Sequence, residues 1–381
     1  MKVRTDSRIF IVCFTGGSGI THYSISLARE LSQYAKVTLV VGKNFCDQGY
    51  PSFEFDVLPF FNRSRWYLID LLRLALFFVT NRPQVALFQS TLKSALMESI
   101  LIRFFGMVSI RTAMTIHDVL PHYPKPWSRL THILLYRSFD QLIVHSQRSC
   151  DDLREMKVMR PLLMVPHGLY SLFITHPSSC EESRINLTPF TRDHFVLLFF
   201  GKIDERKGIW NFLELRRALS TDDRYRFVIA GRMDISYKKS ELQVALEEAR
   251  ASSNCIVHNH DIPFMEVQNY FALADIVILP YQEGTTSGVL KLALAFGKPV
   301  IATDVGDLAE TVKEGVGILL PVKFKLSDLA LAVNEIKENY DSYADACELA
   351  KERYDWGKIG KGYAHFLLDP IPKNAVSIEK G

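Results

Sequence analysis

The sequence runs to 381 residues, 48% hydrophobic and 23% charged, with a formal net charge of +3. That length exceeds what one hydrophobic core usually organises, so two domains of similar size are expected, and the apolar content excludes a mainly disordered chain. The charge is uneven: residues 1–190 hold 21 Lys+Arg against 14 Asp+Glu, a net +7, and the remainder holds 24 against 28, a net −4. A basic first half attracts an anionic surface or substrate, while the lack of a Lys/Arg run or an interleaved aromatic stripe argues against nucleic acid.

Cys13, Cys46, Cys150, Cys180, Cys255 and Cys347 show no C-x-x-C spacing, so neither a zinc site nor a disulfide framework is expected and a reducing cytoplasm fits. The first residues lead into a strand without the apolar core and cleavage site of a signal peptide. The longest apolar stretch, Trp66 to Thr80, is interrupted by Asp70 and Arg73 and falls short of the ~20 apolar residues that span a bilayer. Preceded by Phe60, Phe61, Arg63 and Arg65, it reads equally as an interfacial helix with basic residues at lipid headgroups or as a buried helix. The expected location is therefore cytoplasmic, at the inner face of a membrane under the first of these readings.

In chain order, Ile9 to Phe14, Val37 to Val41, Val85 to Gln89, Ile110 to Ile116, Gln141 to His145 and Leu162 to Val165 read as strands between helical patterns, which implies a parallel sheet covered by helices. The polar stretch His176 to Asp193 reads as a surface connector at a domain junction. The pattern restarts with Phe195 to Phe200, Arg226 to Ala230, Cys255 to His258, Ile276 to Leu279, Val300 to Ala302 and Gly317 to Leu320, so a second doubly wound domain follows. A last helix, Trp356 to Leu368, carries Ile359, Tyr363, Phe366 and Leu367 at near-helical spacing and needs a partner surface in either domain.

Four segments carry candidate chemistry. The turn Phe14-Thr15-Gly16-Gly17-Ser18-Gly19 joins a strand to a helix and offers close backbone approach and free N–H groups to an anion; without full G-x-G-x-x-G spacing it is equally a structural turn. Thr115-Ile116-His117-Asp118 ends a strand, where open α/β sheets bind ligands. His117 there can donate to a phosphate or sugar oxygen, with Asp118 holding its tautomer. Gly201-Lys202-Ile203-Asp204-Glu205-Arg206-Lys207-Gly208 brings two ammonium groups to a strand end, suited to a diphosphate. Finally, Pro280-Tyr281-Gln282-Glu283-Gly284-Thr285-Thr286-Ser287-Gly288 combines an acceptor for sugar hydroxyls with a glycine turn, hydroxyls and a helix start.

On these residues the chain resembles family 4 of retaining GT-B glycosyltransferases, whose domain is the group 1 glycosyl transferase type. The likeness covers nearly the whole length and is most specific from about Val196 to Glu310. Further landmarks in the same order are Val165-Pro166-His167-Gly168, Ala230-Gly231-Arg232, Phe271-Ala272-Leu273-Ala274-Asp275 and Gly297-Lys298-Pro299-Val300-Ile301-Ala302-Thr303-Asp304-Val305-Gly306. The fold implied is α/β, two Rossmann-like doubly wound domains facing a central cleft. Residues 1–175 would be the acceptor-binding domain, to which the helix in 356–381 returns, and 190–355 the donor-binding domain.

The resemblance further implies catalytic roles for His117, Glu283, Lys207 and Lys202. It places Gly16, Gly17, Gly201, Arg232, Gly284, Thr285, Thr286, Ser287 and Lys291 around the donor, with no metal or other cofactor. Two positions depart from the family pattern. Lys202 stands where arginine is common, losing a bidentate fork. Lys291 replaces the second acid of a paired-glutamate motif, and a lysine cannot accept hydrogen bonds from ribose hydroxyls. The reaction implied is retaining transfer of a hexose from a nucleoside diphosphate sugar to an acceptor hydroxyl, with a glycan or lipid-linked glycan as acceptor and a membrane surface as a further partner. The alternatives are a nucleotide-sugar 2-epimerase of the same fold and a non-catalytic sugar-nucleotide-binding subunit.

Overall fold

The computed structural model describes residues 7–62, 66–121, 124–175, 187, 190–191, 193–233, 239–284, 287–371 and 378–380. Most of the expected connector at 176–193 falls outside them, as do Arg63, Arg65, Thr285 and Thr286. The chain divides into two compact units, Met1–Gly168 with Tyr354–Gly381, and Leu169–Arg353.

The first unit holds one parallel sheet of β1 (Arg8–Val12), β2 (Lys36–Gly42), β3 (Asp56–Phe61), β4 (Val85–Phe88), β5 (Arg111–Ile116), β6 (Gln141–Val144), β7 (Leu162–Met164) and β14 (Ile378–Lys380). Their order is β14-β7-β6-β5-β4-β1-β2-β3. Between the strands run α1 (Gly19–Ser32), α2 (Tyr67–Asn81), α3 (Ala95–Met107), α4 (Ser128–Tyr136) and α5 (Gln147–Glu155). Every residue of β4 and β6 is buried, as a parallel sheet covered on both faces requires. β3 was not expected from the sequence. Its Pro59 lacks a ladder donor, which only an edge position tolerates, and β3 pairs with β2 alone.

α2 accounts for both readings of the Trp66 to Thr80 stretch by splitting its faces. Tyr67, Asp70, Leu71, Leu74 and Phe78 are buried, whereas Leu68, Ile69, Leu72 and Leu76 are exposed, as is Trp66 before them. The buried Asp70 carboxylate accepts from the Asn62 backbone N–H at 2.8 Å, from Asn62 Nδ2 at 2.9 Å and from Arg73 at 3.3 Å. Those partners are what make a charge tolerable inside an apolar helix face.

The second unit holds β8 (Phe195–Phe200), β9 (Tyr225–Gly231), β10 (Cys255–Asn259), β11 (Ile276–Leu279), β12 (Val300–Thr303) and β13 (Gly317–Leu320), in the order β10-β9-β8-β11-β12-β13 and all parallel. Its helices are α6 (Ile209–Ala218), α7 (Lys239–Ala251), α8 (Val267–Leu273), α9 (Gly288–Ala295), α10 (Leu308–Thr311), α11 (Leu326–Glu338) and α12 (Tyr340–Lys351). The winding direction reverses between β1 and β4 in one unit and between β8 and β11 in the other, and such reversals are where open α/β sheets bind ligands.

The last helix, α13 (Trp356–Leu368), belongs to the first unit although the second precedes it in sequence. It packs on α1: Tyr363 Oη lies 2.9 Å from Tyr23 Oη and 3.0 Å from Thr115 Oγ1. Arg111 Nη1 donates to the Leu367 and Asp369 carbonyls at 2.7 and 2.8 Å, and Gln141 Nε2 donates to the Phe366 carbonyl. Trp356 sits so close to Gly168 that a Cβ there would fall 2.4 Å from the indole. Gly168→Ala should therefore destabilise the first unit by about 1–3 kcal/mol through overpacking, read as a lower midpoint in urea unfolding; an unchanged midpoint would mean that α13 is not docked this tightly.

Candidate active site

In the second unit three loops meet at the reversal between β8 and β11. Gly208 has φ +74° and a Cβ there would lie 1.8 Å from the Pro280 carbonyl oxygen; Gly231 has φ +145° and its Cβ would lie 1.8 Å from the Gly201 carbonyl oxygen. Only glycine combines a left-handed backbone with so close an approach. These contacts fasten the Gly201–Gly208 loop to the loops after β9 and β11. The backbone N–H of Gln282 adds a 2.8 Å bond to the Arg206 carbonyl.

Lys207 is fixed at both ends. Its backbone N–H donates to Asp204 Oδ1 at 2.7 Å, and its ammonium lies 3.6 Å from the centre of the Tyr281 ring, a cation–π contact that holds a charge without neutralising it. Tyr281 is buried; its hydroxyl meets Ser287 Oγ at 3.1 Å, and Thr303 Oγ1 donates to its carbonyl. Ser287 in turn caps α9, accepting from the Leu290 N–H at 3.3 Å. At 1% exposure its hydroxyl organises the helix start. Lys202 and Glu283 are exposed, and a Cβ added at Gly284 would meet Tyr281 Cδ2 at an ordinary 3.8 Å. Arg232 forms a 2.8 Å ion pair with Asp261.

Lys291, expected at the donor, is a buried residue of the second unit. It is 2% exposed, turned inward from α9 toward α10, and its ammonium donates to Thr311 Oγ1 at 2.9 Å. Burial lowers its pKa from 10.5 to about 8, against the upward pull of Asp307, Glu314 and Glu310.

In the first unit the glycine turn has two different members. A Cβ at Gly16 would lie 2.5 Å from the Phe45 backbone nitrogen, so Gly16 serves packing, whereas Gly17 faces open space. Thr15 Oγ1 meets Ser18 Oγ at 2.7 Å and Thr21 Oγ1 at 2.8 Å, closing the first turn of α1. The ends of β4, β5, β6 and β7 bring together Gln89, His117, His145 and His167 around the buried Tyr23 ring, whose centre is 4.7 to 5.2 Å from the three imidazoles. Trp356 completes the shell at 5.0 Å.

His117 Nε2 lies 3.4 Å from the Gln89 side chain and its Nδ1 3.3 Å from His145 Nε2. Burial, and secondarily His145, hold the His117 pKa well below the usual imidazole value, so the ring is neutral at pH 7. Sequence reasoning gave no site role to Gln89, Tyr23, His145 or His167, although His167 stands in the Val165-Pro166-His167-Gly168 landmark. The signal available was a polar or histidine residue at or just past each of four strand ends. Among the described residues no three His, Cys, Asp or Glu side chains are grouped as metal ligands.

Two doubly wound parallel units, each with its loops at the strand-order reversal, define the GT-B class of fold. Residues 194–339 match the family described as "Glycosyl transferases group 1". The chain is 28% identical over 199 residues to a D-inositol 3-phosphate glycosyltransferase of Paenarthrobacter aurescens, covering 51% of this chain and 48% of that one. It is 26% identical over 211 residues to a lipopolysaccharide 1,2-N-acetylglucosaminetransferase of Salmonella typhimurium, covering 52% and 54%. The chain thus spans about half the length of these relatives. Among solved structures, sucrose-phosphate synthase from Thermosynechococcus elongatus superposes with a TM-score of 0.73 at 17% identity, covering 94% of this chain and 98% of that one. HepE of Anabaena, in complex with UDP-glucose, gives 0.72 at 16%, covering 95% and 99%. These relatives are transferases by name or share the fold, which leaves the epimerase alternative unfavoured.

Lys291 yields a test with a definite sign. Its folded pKa of about 8 lies below the ordinary 10.5, so between these values the unfolded chain binds more protons and stability rises with pH. Below about pH 8 the burial penalty is present in full. Urea unfolding in steps from pH 7 to 10.5 should show the wild type gaining on Lys291→Met, by on the order of 3 kcal/mol across the window; parallel curves would refute the buried, charged lysine.

Proposed function

We propose that this protein is a retaining hexosyltransferase moving a sugar from a nucleoside diphosphate sugar to an acceptor hydroxyl during synthesis of a polysaccharide or lipid-linked glycan. The observation that carries this reading is the joining of the Lys202–Gly208 loop to the Pro280–Gly284 loop across the reversal of the second sheet, with Lys207 held over Tyr281. In the reaction the bond from the anomeric carbon to the diphosphate breaks, the acceptor oxygen bonds to that carbon, and the acceptor proton passes to the departing phosphate oxygen. Lys202, Lys207 and the N–H groups at the start of α9 stabilise the negative charge that develops there. Glu283 accepts hydrogen bonds from sugar hydroxyls. Lysines in this place supply the charge that a divalent cation supplies on other folds, so we propose a metal-independent reaction.

The UDP-glucose in the Anabaena HepE structure makes a uridine nucleotide the first donor to try. A panel of UDP-, GDP- and ADP-sugars should contain one that raises the melting temperature, the effect amounting to about 2.7 kcal/mol at a hundredfold excess over Kd. Turnover of that donor should fall about 100-fold or more in Glu283→Ala, by analogy with loss of one preorganised polar group at a reacting centre, and should survive EDTA. No shift with any sugar nucleotide would count against the transferase reading. Loss of turnover in EDTA with rescue by magnesium or manganese would count against the lysines as the source of charge.

For the acceptor side we propose that the first unit rests on an anionic lipid surface. Leu68, Ile69, Leu72 and Leu76 of α2 and Leu96 and Ile100 of α3 are exposed, and Lys93 and Arg103 beside the latter are exposed bases. Exposed apolar residues with a basic fringe suit the headgroup boundary, and no helix among the described residues is long and apolar enough to cross a membrane. Cosedimentation with phosphatidylglycerol-containing vesicles should be seen for the wild type and lost when Leu68, Ile69 and Leu72 are replaced by Ser; equal binding by both proteins would rule this face out.

A further inference from the structure

β2 and β3 run in the same direction, so the chain between them must travel back along the sheet. It starts beside the glycine turn, where a Cβ on Gly16 would lie 2.5 Å from the Phe45 nitrogen. It ends at the opposite end of the strands, where Asp56 opens β3. The distance is roughly 20 Å, the length of β2. This return segment carries Phe45, Tyr50, Phe53 and Phe55, whose ring centres follow one another at 5.8, 5.9 and 5.1 Å. Tyr50 Oη lies 2.7 Å from His22 Nδ1, which fastens the segment to α1. Phe55 is buried, whereas Phe45, Tyr50 and Phe53 are half-buried, so packing inside the unit leaves part of their apolar surface uncovered.

At its far end the segment walls a cavity of about 500 Å³, a volume within the range of small-ligand sites. The lining includes Phe53, Phe55, Ser32 at the end of α1, and the charged residues Lys36, Glu54 and Asp56. Lys36 and Asp56 stand 3.9 Å apart with side chains 68% and 66% exposed, so water screens their attraction and both retain hydrogen-bonding capacity.

This lining discriminates among ligands by charge. Two carboxylates against one ammonium repel a phosphate or an anionic lipid, although residues 1–190 carry a net +7. A bare cation meets the ammonium, and among the described residues no three His, Cys, Asp or Glu side chains are grouped to hold a metal. Aromatic rings beside both kinds of charge suit an uncharged ligand with an apolar C–H face and many hydroxyls. The rings cover that face, the carboxylates accept from hydroxyls, and Lys36 donates to their oxygens. A pyranose has this chemistry.

We propose that this groove is a glycan-binding site, separate from the candidate active site, which holds an uncharged segment of the acceptor or product chain. Tyr50 and Phe45 continue from it toward the glycine turn, giving a chain of several sugars an aromatic track along the first unit. The proposal deepens the glycosyltransferase reading by making a polymer of neutral sugars the acceptor class. The role of the bound chain rests on that reading; its binding does not.

The test is isothermal titration of the full-length protein, without nucleotide, with maltohexaose, cellohexaose and mannohexaose, and with hexagalacturonate as the anionic comparison. At least one neutral chain should bind and hexagalacturonate should not. Phe53→Ala should weaken that binding about tenfold or more, and so should Glu54→Ala, which removes a charged hydrogen-bond acceptor. Glu54 is exposed, so its variant decides even if Phe53→Ala does not fold. Glu283→Ala, in the second unit, should leave the affinity unchanged. No binding of any neutral chain, equal or tighter binding of hexagalacturonate, or equal affinity in wild type and Glu54→Ala overturns the proposal. Lost binding in Glu283→Ala also overturns it, by moving the chain to the donor loops. A protein that binds the chain but responds to no sugar nucleotide keeps the groove and loses the transferase reading, and the reverse pattern does the opposite.

Discussion

A parallel sheet whose winding reverses leaves two neighbouring strands with connections leading to opposite faces, and the gap between their loops is the one place where backbone and side chains can surround a ligand without opening the core. Both units obey this constraint. In the second, β8 and β11 flank the reversal, and their loops carry Lys202, Lys207 and Glu283. In the first, β1 and β4 flank it, with the glycine turn above one and Gln89 at the end of the other. The chemistry of each unit is thus tied to its topology before any particular side chain is considered.

What turns these loops into sites is close packing around aromatic rings. Tyr281 touches the ammonium of Lys207 and the cap of α9 together, so the lysine loop and the helix start are positioned by one buried ring. Tyr23 plays the equivalent part among His117, His145, His167 and Trp356. Its hydroxyl is bonded to Tyr363 of α13, so a helix contributed after the second unit buttresses the histidine cluster of the first. A ring that packs on several groups transmits a displacement of one of them to the rest.

Much of this organisation was legible in the sequence. Twelve apolar runs were read as strands, and each has its counterpart in β1, β2, β4 to β13, because strands buried on both faces need uninterrupted β-branched and aromatic residues. β3 was missed because Pro59 argues against a strand and an edge position escapes that argument. α2 could not be assigned to core or surface because both of its faces are apolar, and only neighbouring elements determine which face is covered.

The sequence by itself determined the alternation of strands and helices, the glycine positions that let loops approach one another, and the lysine, glutamate and histidine residues at strand ends. All of these follow from local spacing, which a chain carries whether folded or not. The tertiary structure alone decided that Lys291 points into the unit onto Thr311, that Ser287 caps a helix, and that His145 lies against the ring of His117. The direction and protonation of a buried polar side chain depend on partners far away in sequence, Thr311 for Lys291 and His145 and Gln89 for His117. Desolvation makes those partners obligatory without leaving any mark in the residues on either side.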